Sequence, residues 1–152
     1  MHTQRLSLQT APDAYAAVSG VERYIRGCGL EMSLIELVKL RASQINGCAF
    51  CIDMHARDAR QAGESEQRLY LLSAWRESPL FTQREQAALA WTECLTRLPT
   101  DGAPDDIYTA LQARFSAVEI ANLTTLIGLI NLWNRIGVGF ALRHPVPAQA
   151  AA

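Results

Sequence analysis

The sequence predicts an all-α, single-domain protein of about six or seven helices that assembles into oligomers. Three observations carry this. Helix start and stop signals recur along the chain, while alternating strand patterns are absent. The 152 residues are 49% hydrophobic and 19% charged, which suits one real core and excludes disorder. A helix near the C-terminus is apolar around most of its circumference, more than one small domain readily buries alone.

The elements follow in order. Pro12 and Asp13 open a helix through Arg26, which Gly27-Cys28-Gly29 stops. Ser33-Leu-Ile-Glu36 reads as a capping box, Ser-x-x-Glu before an apolar run. The helix it starts carries Leu34, Ile35, Leu37, Val38, Ala42 and Ile45, and Asn46-Gly47 ends it. Another spans about Cys48 to Ala62, with Gly63 in the stop position. Ser65 caps a segment through Trp75, and Glu77-Ser-Pro-Leu-Phe81 breaks it.

Thr82–Glu85 is a second capping box, for a helix to about Arg97 that Pro99 and the turn "TDGAPDD" close. A helix over Asp105–Arg114 follows. Ser116–Glu119 is a third box, opening the long apolar helix. The chain divides into an N-terminal helical segment over 1–30, a core domain over 31–142 and a flexible tail over 143–152.

Charge excludes several functions. The net charge is −1 with no run of Lys or Arg, so no nucleic-acid surface and no polybasic membrane patch is expected. Ile120–Leu142 is long enough to span a bilayer, but Asn122, Asn131, Asn134 and Arg135 would be costly there. A buried or interface helix is the better reading. "MHTQRLSLQTAPDAY" holds no apolar segment long enough for a signal peptide, which points to the cytoplasm. Structural disulfides are rare in that compartment. Of the four cysteines, at 28, 48, 51 and 94, the close pair therefore reads as catalytic or metal-binding.

That pair lies in "INGCAFCIDMHARDAR", Ile45–Arg60. At 100° per residue, Cys48, Cys51 and His55 fall within a ~60° arc of one helix, so their side chains can converge. Both thiols sit in the first turn, where free N–H groups and the helix dipole favour a thiolate. Antiparallel packing about Asn46-Gly47 places Glu36 about 15 Å along one axis and His55 about 12 Å along the other. Glu36 can then accept a hydrogen bond from His55 and orient it toward the thiols. The same residues permit two other readings. As the last member of the Ser33 box, Glu36 can simply cap its helix. The two thiols, His55 and Glu36 also make four zinc ligands.

The surrounding residues are assigned more simply. Phe50 and Met54 line the apolar side of the pocket. Cys28 and Cys94 are small buried hydrophobes, and Trp75, Trp91 and Trp133 are core or interface aromatics. Asp53, Arg57, Asp58 and Arg60 form a solvated face with an Asp53–Arg57 pair. His2 and His144 are given no role.

Glu36, eleven intervening residues, then Cys48-Ala-Phe-Cys51-Ile-Asp-Met-His55 resembles the core motif of the AhpD-like proteins. These belong to the carboxymuconolactone decarboxylase superfamily of small all-α oligomers. "LRASQINGCAFCIDMHARDARQAGE", "WRESPLFTQREQAALAWTE" and "INLWNRIGVGF" extend the resemblance from roughly Glu31 to Phe140. It implies a cofactor-free thiol peroxidase, or a disulfide reductase, with Glu36, Cys48, Cys51 and His55 as catalytic residues. It further implies a small hydroperoxide substrate, a thiol or dithiol reductant protein as partner, and a homo-oligomer, trimer or hexamer. AhpD itself carries a further His between the cysteines, where this chain has Phe50. The decarboxylase branch is similar in fold but lacks the Cys pair, which argues against that reaction here. The rival class is non-enzymatic: a redox-sensing helical protein of a stress response, or one holding zinc through the two thiols, His55 and Glu36. Which cysteine is peroxidatic stays open, because proximity to His55 favours Cys51 and the helix dipole favours Cys48.

Overall fold

The computed structural model describes residues 3–146; His2 and most of the C-terminal tail lie outside them. Eight α-helices, two 3-10 turns and no strand are found among the described residues. The helices are α1 (Pro12–Gly27), α2 (Met32–Asn46), α3 (Ala49–Gln61), α4 (Glu66–Leu71), α5 (Gln83–Thr96), α6 (Leu98–Asp101), α7 (Asp105–Gln112) and α8 (Ala117–Gly139). One 3-10 turn precedes α1, at Leu8–Thr10, and the other, Leu72–Glu77, continues α4.

The elements depart from the predicted six or seven helices at two places, of which the second supplies the extra helix. The segment after Ser65 is α4 running into a 3-10 turn, with Ala74 outside helical geometry. Pro99, read from sequence as a stop, instead sits in the first turn of α6, where a missing N–H is no loss. Two of the three predicted capping boxes form, at Thr82/Glu85 and Ser116/Glu119. The third does not. Helix α2 begins at Met32 with Glu31 as its N-cap, so Ser33 is already inside the helix and makes no cap. Glu36 is thereby left with its side chain free for the interior.

Helix α2 is the axis of the fold. It packs against α3, α5 and α8, and every residue from Leu34 to Ser43 is buried. Leu34, Ile35 and Val38 join Ile25, Trp91, Leu123 and Leu126 in one core cluster. Leu37 and Leu40 join Leu72, Trp75 and Leu89 in another. A helix buried all round must satisfy its polar groups within the protein. Ser43 donates to the Lys39 carbonyl at 2.7 Å. The Arg41 guanidinium meets Glu93 at 2.7 Å from both Nε and Nη2.

Glu93 also accepts from Trp75 Nε1 at 3.0 Å and from Arg76 Nη1 at 2.5 Å. Burial pushes the Glu93 carboxyl up, but hydrogen bonds from Arg76, Trp75 and Arg41 outweigh it and hold it below its usual value near 4.5. A carboxylate held low contributes stability above that value and loses it as pH falls through the native one. Glu93→Gln should cost about 3 kcal/mol at neutral pH, because Arg41 is left buried without a counter-charge. Denaturant unfolding checks this, and a loss below about 0.5 kcal/mol would contradict it.

The corner between α2 and α3 is tight. Gly47 ends α2 at φ +66°, a left-handed conformation that suits glycine. The Cys48 amide donates to the Ser43 carbonyl at 3.1 Å. Helix α8 holds this corner through the asparagines that argued against a membrane span. Asn46 Nδ2 donates to Asn131 Oδ1 at 3.0 Å and Asn134 Oδ1 at 2.9 Å, and Asn134 Nδ2 donates to Ser43 Oγ at 2.9 Å. Asn122 Oδ1 accepts from the Tyr24 hydroxyl at 2.8 Å. Most of the apolar surface of α8 is buried by its own chain; Val118, Leu132 and Val138 stay exposed. Among the described residues no helix is long and apolar enough to cross a membrane.

Candidate active site

Cys48 is the N-cap of α3, one step outside the first turn in which the sequence placed it. Its sulfur accepts the Cys51 N–H at 3.4 Å, the role a Ser or Asp side chain plays at other helix starts. The two Cα atoms are 5.3 Å apart and the sulfurs are joined as a disulfide. Cys51 and His55 stand four residues apart on α3 and line the same cleft, of about 320 Å³.

His55 and Glu36 are both buried, and His55 Nδ1 lies 2.8 Å from Glu36 Oε2. The antiparallel α2–α3 packing brings the two to one level, as the count from Asn46-Gly47 predicts. An ionised carboxylate only accepts hydrogen bonds, so Nδ1 donates to it, and in the neutral imidazole Nε2 is the nitrogen that keeps the lone pair. Burial pushes the Glu36 carboxyl up. The hydrogen bond from His55 and the charges of His55, Lys39 and Arg26 more than offset this and hold it below the usual carboxylate range. Glu36 therefore stays ionised at neutral pH.

Sequence reasoning missed four charged residues of this cleft: Glu22, Arg26, Lys39 and Asp58. Lys39 is buried and its ammonium pairs with Glu22. Arg26 binds Glu22 at 3.2 Å and stands 3.8 Å from Glu36 Oε1. A chain of alternating charges thus runs from α1 to the imidazole. A signal existed for Lys39, because a cation inside the run Leu37-Val-Lys-Leu40 needs a buried partner. Asp58 was assigned to the solvated face of α3. The expected Asp53–Arg57 pair forms at 2.7 Å, but Asp58 turns toward the cleft. The remaining wall is Leu8, Phe50, Met54, Trp133 and Leu142, and Trp133 stacks on Tyr15.

Cys48 opens elsewhere. It lines a second cleft, of about 530 Å³, with Gly137, Val138 and His144. Phe50 borders both clefts. The other cysteines stay apart: Cys94 is buried, and burial together with nearby Asp101 pushes its thiol up.

Among the described residues, the groups close enough to share a metal ion are Glu36, His55 and Asp58, their ligand atoms within 4.8 Å of one another. Neither cysteine belongs to that set. Of the four zinc ligands read from the sequence, the two sulfurs are bonded to each other in this structure and offer no thiolate. What the arrangement offers chemically is a vicinal cysteine pair with a carboxylate-oriented imidazole beside one of its members.

The chain is 39% identical over 142 residues to the uncharacterized protein YdfG of Bacillus subtilis, covering 93% of this chain and 97% of that one. Its structure superposes with a TM-score of 0.93 on the crystal structure of a protein of unknown function from Agrobacterium tumefaciens, suggested to be the antioxidant defence protein AhpD. The identity is 49%, covering 95% of this chain and all of the other. The debrominase Bmp8 shares the fold, with a TM-score of 0.83 at 16% identity over 91% of this chain and 75% of its own. The family model of the carboxymuconolactone decarboxylase family matches residues 10–93, a span that contains Glu36, both cysteines of the pair and His55. The chain belongs to the carboxymuconolactone decarboxylase family, as an AhpD-like member.

Proposed function

We propose that this protein is a cofactor-free thiol peroxidase of the antioxidant type, cycling Cys48 and Cys51 between dithiol and disulfide. The observation that carries the reading is Cys51 sharing one cleft with an imidazole fixed by Glu36. In the reduced enzyme, His55 Nε2 accepts the Cys51 proton. The thiolate attacks the hydroperoxide; an S–O bond forms, the O–O bond breaks, and the alkoxide leaves with the proton returned by His55. Cys48 then attacks the sulfenic sulfur, so that the S–S bond forms and water departs. A thiol or dithiol reductant protein restores both thiols by giving two electrons and two protons.

The cleft walls of Phe50, Met54 and Trp133 suit the apolar part of a small organic hydroperoxide. Phe50 takes the position of the histidine that AhpD carries, so proton transfer here rests on His55 alone. We further assign a cytoplasmic location and a homo-oligomer, trimer or hexamer, with Val118, Leu132 and Val138 of α8 toward the partner.

Turnover tests the reading. With dithiothreitol as reductant, purified protein should consume cumene hydroperoxide well above the protein-free rate. Consumption equal to that background would sink the peroxidase assignment.

A further inference from the structure

Helix α8 contains three glycines inside its length, and they differ in surroundings. At Gly128 and Gly139 an added Cβ would meet nothing within 4 Å. At Gly137 it would stand 2.7 Å from Cys48 Sγ and 3.4 Å from Cys51 Sγ. The second distance is an ordinary contact. The first is closer than packed atoms come, so one of the two atoms must move. Glycine weakens a helix interior relative to alanine, and here the backbone's close approach to a sulfur gives the reason for it.

We propose that Gly137 is a positioning residue for the cysteine pair. Its missing side chain provides the space that the Cys48 sulfur occupies in the disulfide, so this position of α8 helps set the balance between disulfide and dithiol. The inference rests on the redox reading of the pair.

The oxidised state is the sensitive one, because the Cys48 sulfur is then held from several sides. It is bonded to Cys51 and accepts the Cys51 N–H. The Cys48 backbone is tied to the Ser43 carbonyl. In the dithiol, rotation about the Cys48 Cα–Cβ bond frees the sulfur to swing into the second cleft, which Cys48 and Gly137 line together. A methyl at 137 therefore penalises the disulfide more than the dithiol.

The experiment is Gly137→Ala, with Gly128→Ala and Gly139→Ala as controls, each equilibrated in dithiothreitol redox buffers. In reduction the Cys48–Cys51 bond breaks and each sulfur gains a proton, while dithiothreitol loses two electrons and closes its own disulfide. Alkylation and mass spectrometry then read the dithiol fraction. The equilibrium of Gly137→Ala should shift toward dithiol by about tenfold or more, the scale of overpacking a tight site, and tenfold corresponds to about 30 mV. The two controls should stay within about twofold of wild type.

A Gly137→Ala equilibrium matching wild type would overturn the inference. Should that variant fail to fold, Gly137→Ala is placed in a Cys48→Ala background, where the clashing sulfur is gone. A thermal midpoint at or above that of Cys48→Ala supports the proposal, and a clearly lower one overturns it. If wild type itself forms no Cys48–Cys51 disulfide in oxidising buffer, the redox reading falls as well. If wild type does and Gly137→Ala titrates with it, only the role of Gly137 falls.

Discussion

Cys51→Ser should reduce hydroperoxide turnover to the uncatalysed level, a loss of about three orders of magnitude or more. A hydroxyl at this position is a poor nucleophile toward peroxide oxygen, and His55 cannot compensate for that. Cys48→Ser should fail differently. Without added reductant the Cys51 thiolate still attacks, but no neighbouring thiol resolves the sulfenic acid, so one equivalent of product forms per chain and dimedone traps the sulfenic acid on Cys51. The proposed roles rest on the clefts: Cys51 lines one together with His55, whereas Cys48 lines the other, and Phe50 borders both. A dimedone adduct on Cys48 in Cys51→Ser, with rapid peroxide consumption, would reverse the two roles. Cys94 should stay unmodified throughout, because its buried thiol is pushed up and away from the thiolate form.

Glu36→Gln should lower the peroxide rate by about a hundredfold, the lower range for losing an effective general base. The amide keeps the size of the carboxylate but removes the charge that fixes which imidazole nitrogen is protonated. If the Gln amide group turns toward Nδ1, the basic nitrogen faces the wrong way. The readout separating this from simple destabilisation is iodoacetamide alkylation of Cys51, which should slow along with turnover while the circular dichroism stays native. Acid unfolding gives a second check. Glu36 is held below the usual carboxylate range, so its share of stability is present above about pH 4.5 and fades as pH falls through its native value. Wild type should lose stability over that acid window more steeply than Glu36→Gln. Turnover and alkylation within about twofold of wild type would remove Glu36 from the mechanism.

Glu36 also shows how far the sequence carries. Ser33-x-x-Glu36 is as good a capping box as Thr82-x-x-Glu85 or Ser116-x-x-Glu119, yet only the latter two cap. Local spacing does not encode where a helix begins, and the chain enters α2 at Met32, after Glu31. Glu31 itself turns to the Arg84 guanidinium, at 2.9 Å. What made the Glu36–His55 contact legible was a longer-range regularity, the turn at Asn46-Gly47 and axial distances on either side of it that match within about one helical turn. Helix α3 and its stop were readable for the same reason, since periodicity and glycine are local signals; of the expected arc only Cys51 and His55 share a cleft, because Cys48 is the N-cap of α3 and lines the other one.

Arg26, Glu22 and Asp58 were not readable. Arg26 and Glu22 come from α1 and meet α2 only through packing, and Asp58 belongs to a charged run whose direction the local pattern does not set. Gly137 was silent in the sequence as well. Nothing in "NRIGVGF" distinguishes it from Gly139, and only the sulfurs across the interface do so.

The central claim is that Cys48 and Cys51 together carry two electrons to a hydroperoxide. It is tested most directly by counting thiols in the fully reduced protein before and after one equivalent of cumene hydroperoxide, with peptide mass spectrometry of the product. The account predicts loss of two thiols per chain, a Cys48–Cys51 linkage, and Cys28 and Cys94 still reduced. Four unchanged thiols after peroxide, or two lost without that linkage, would contradict it.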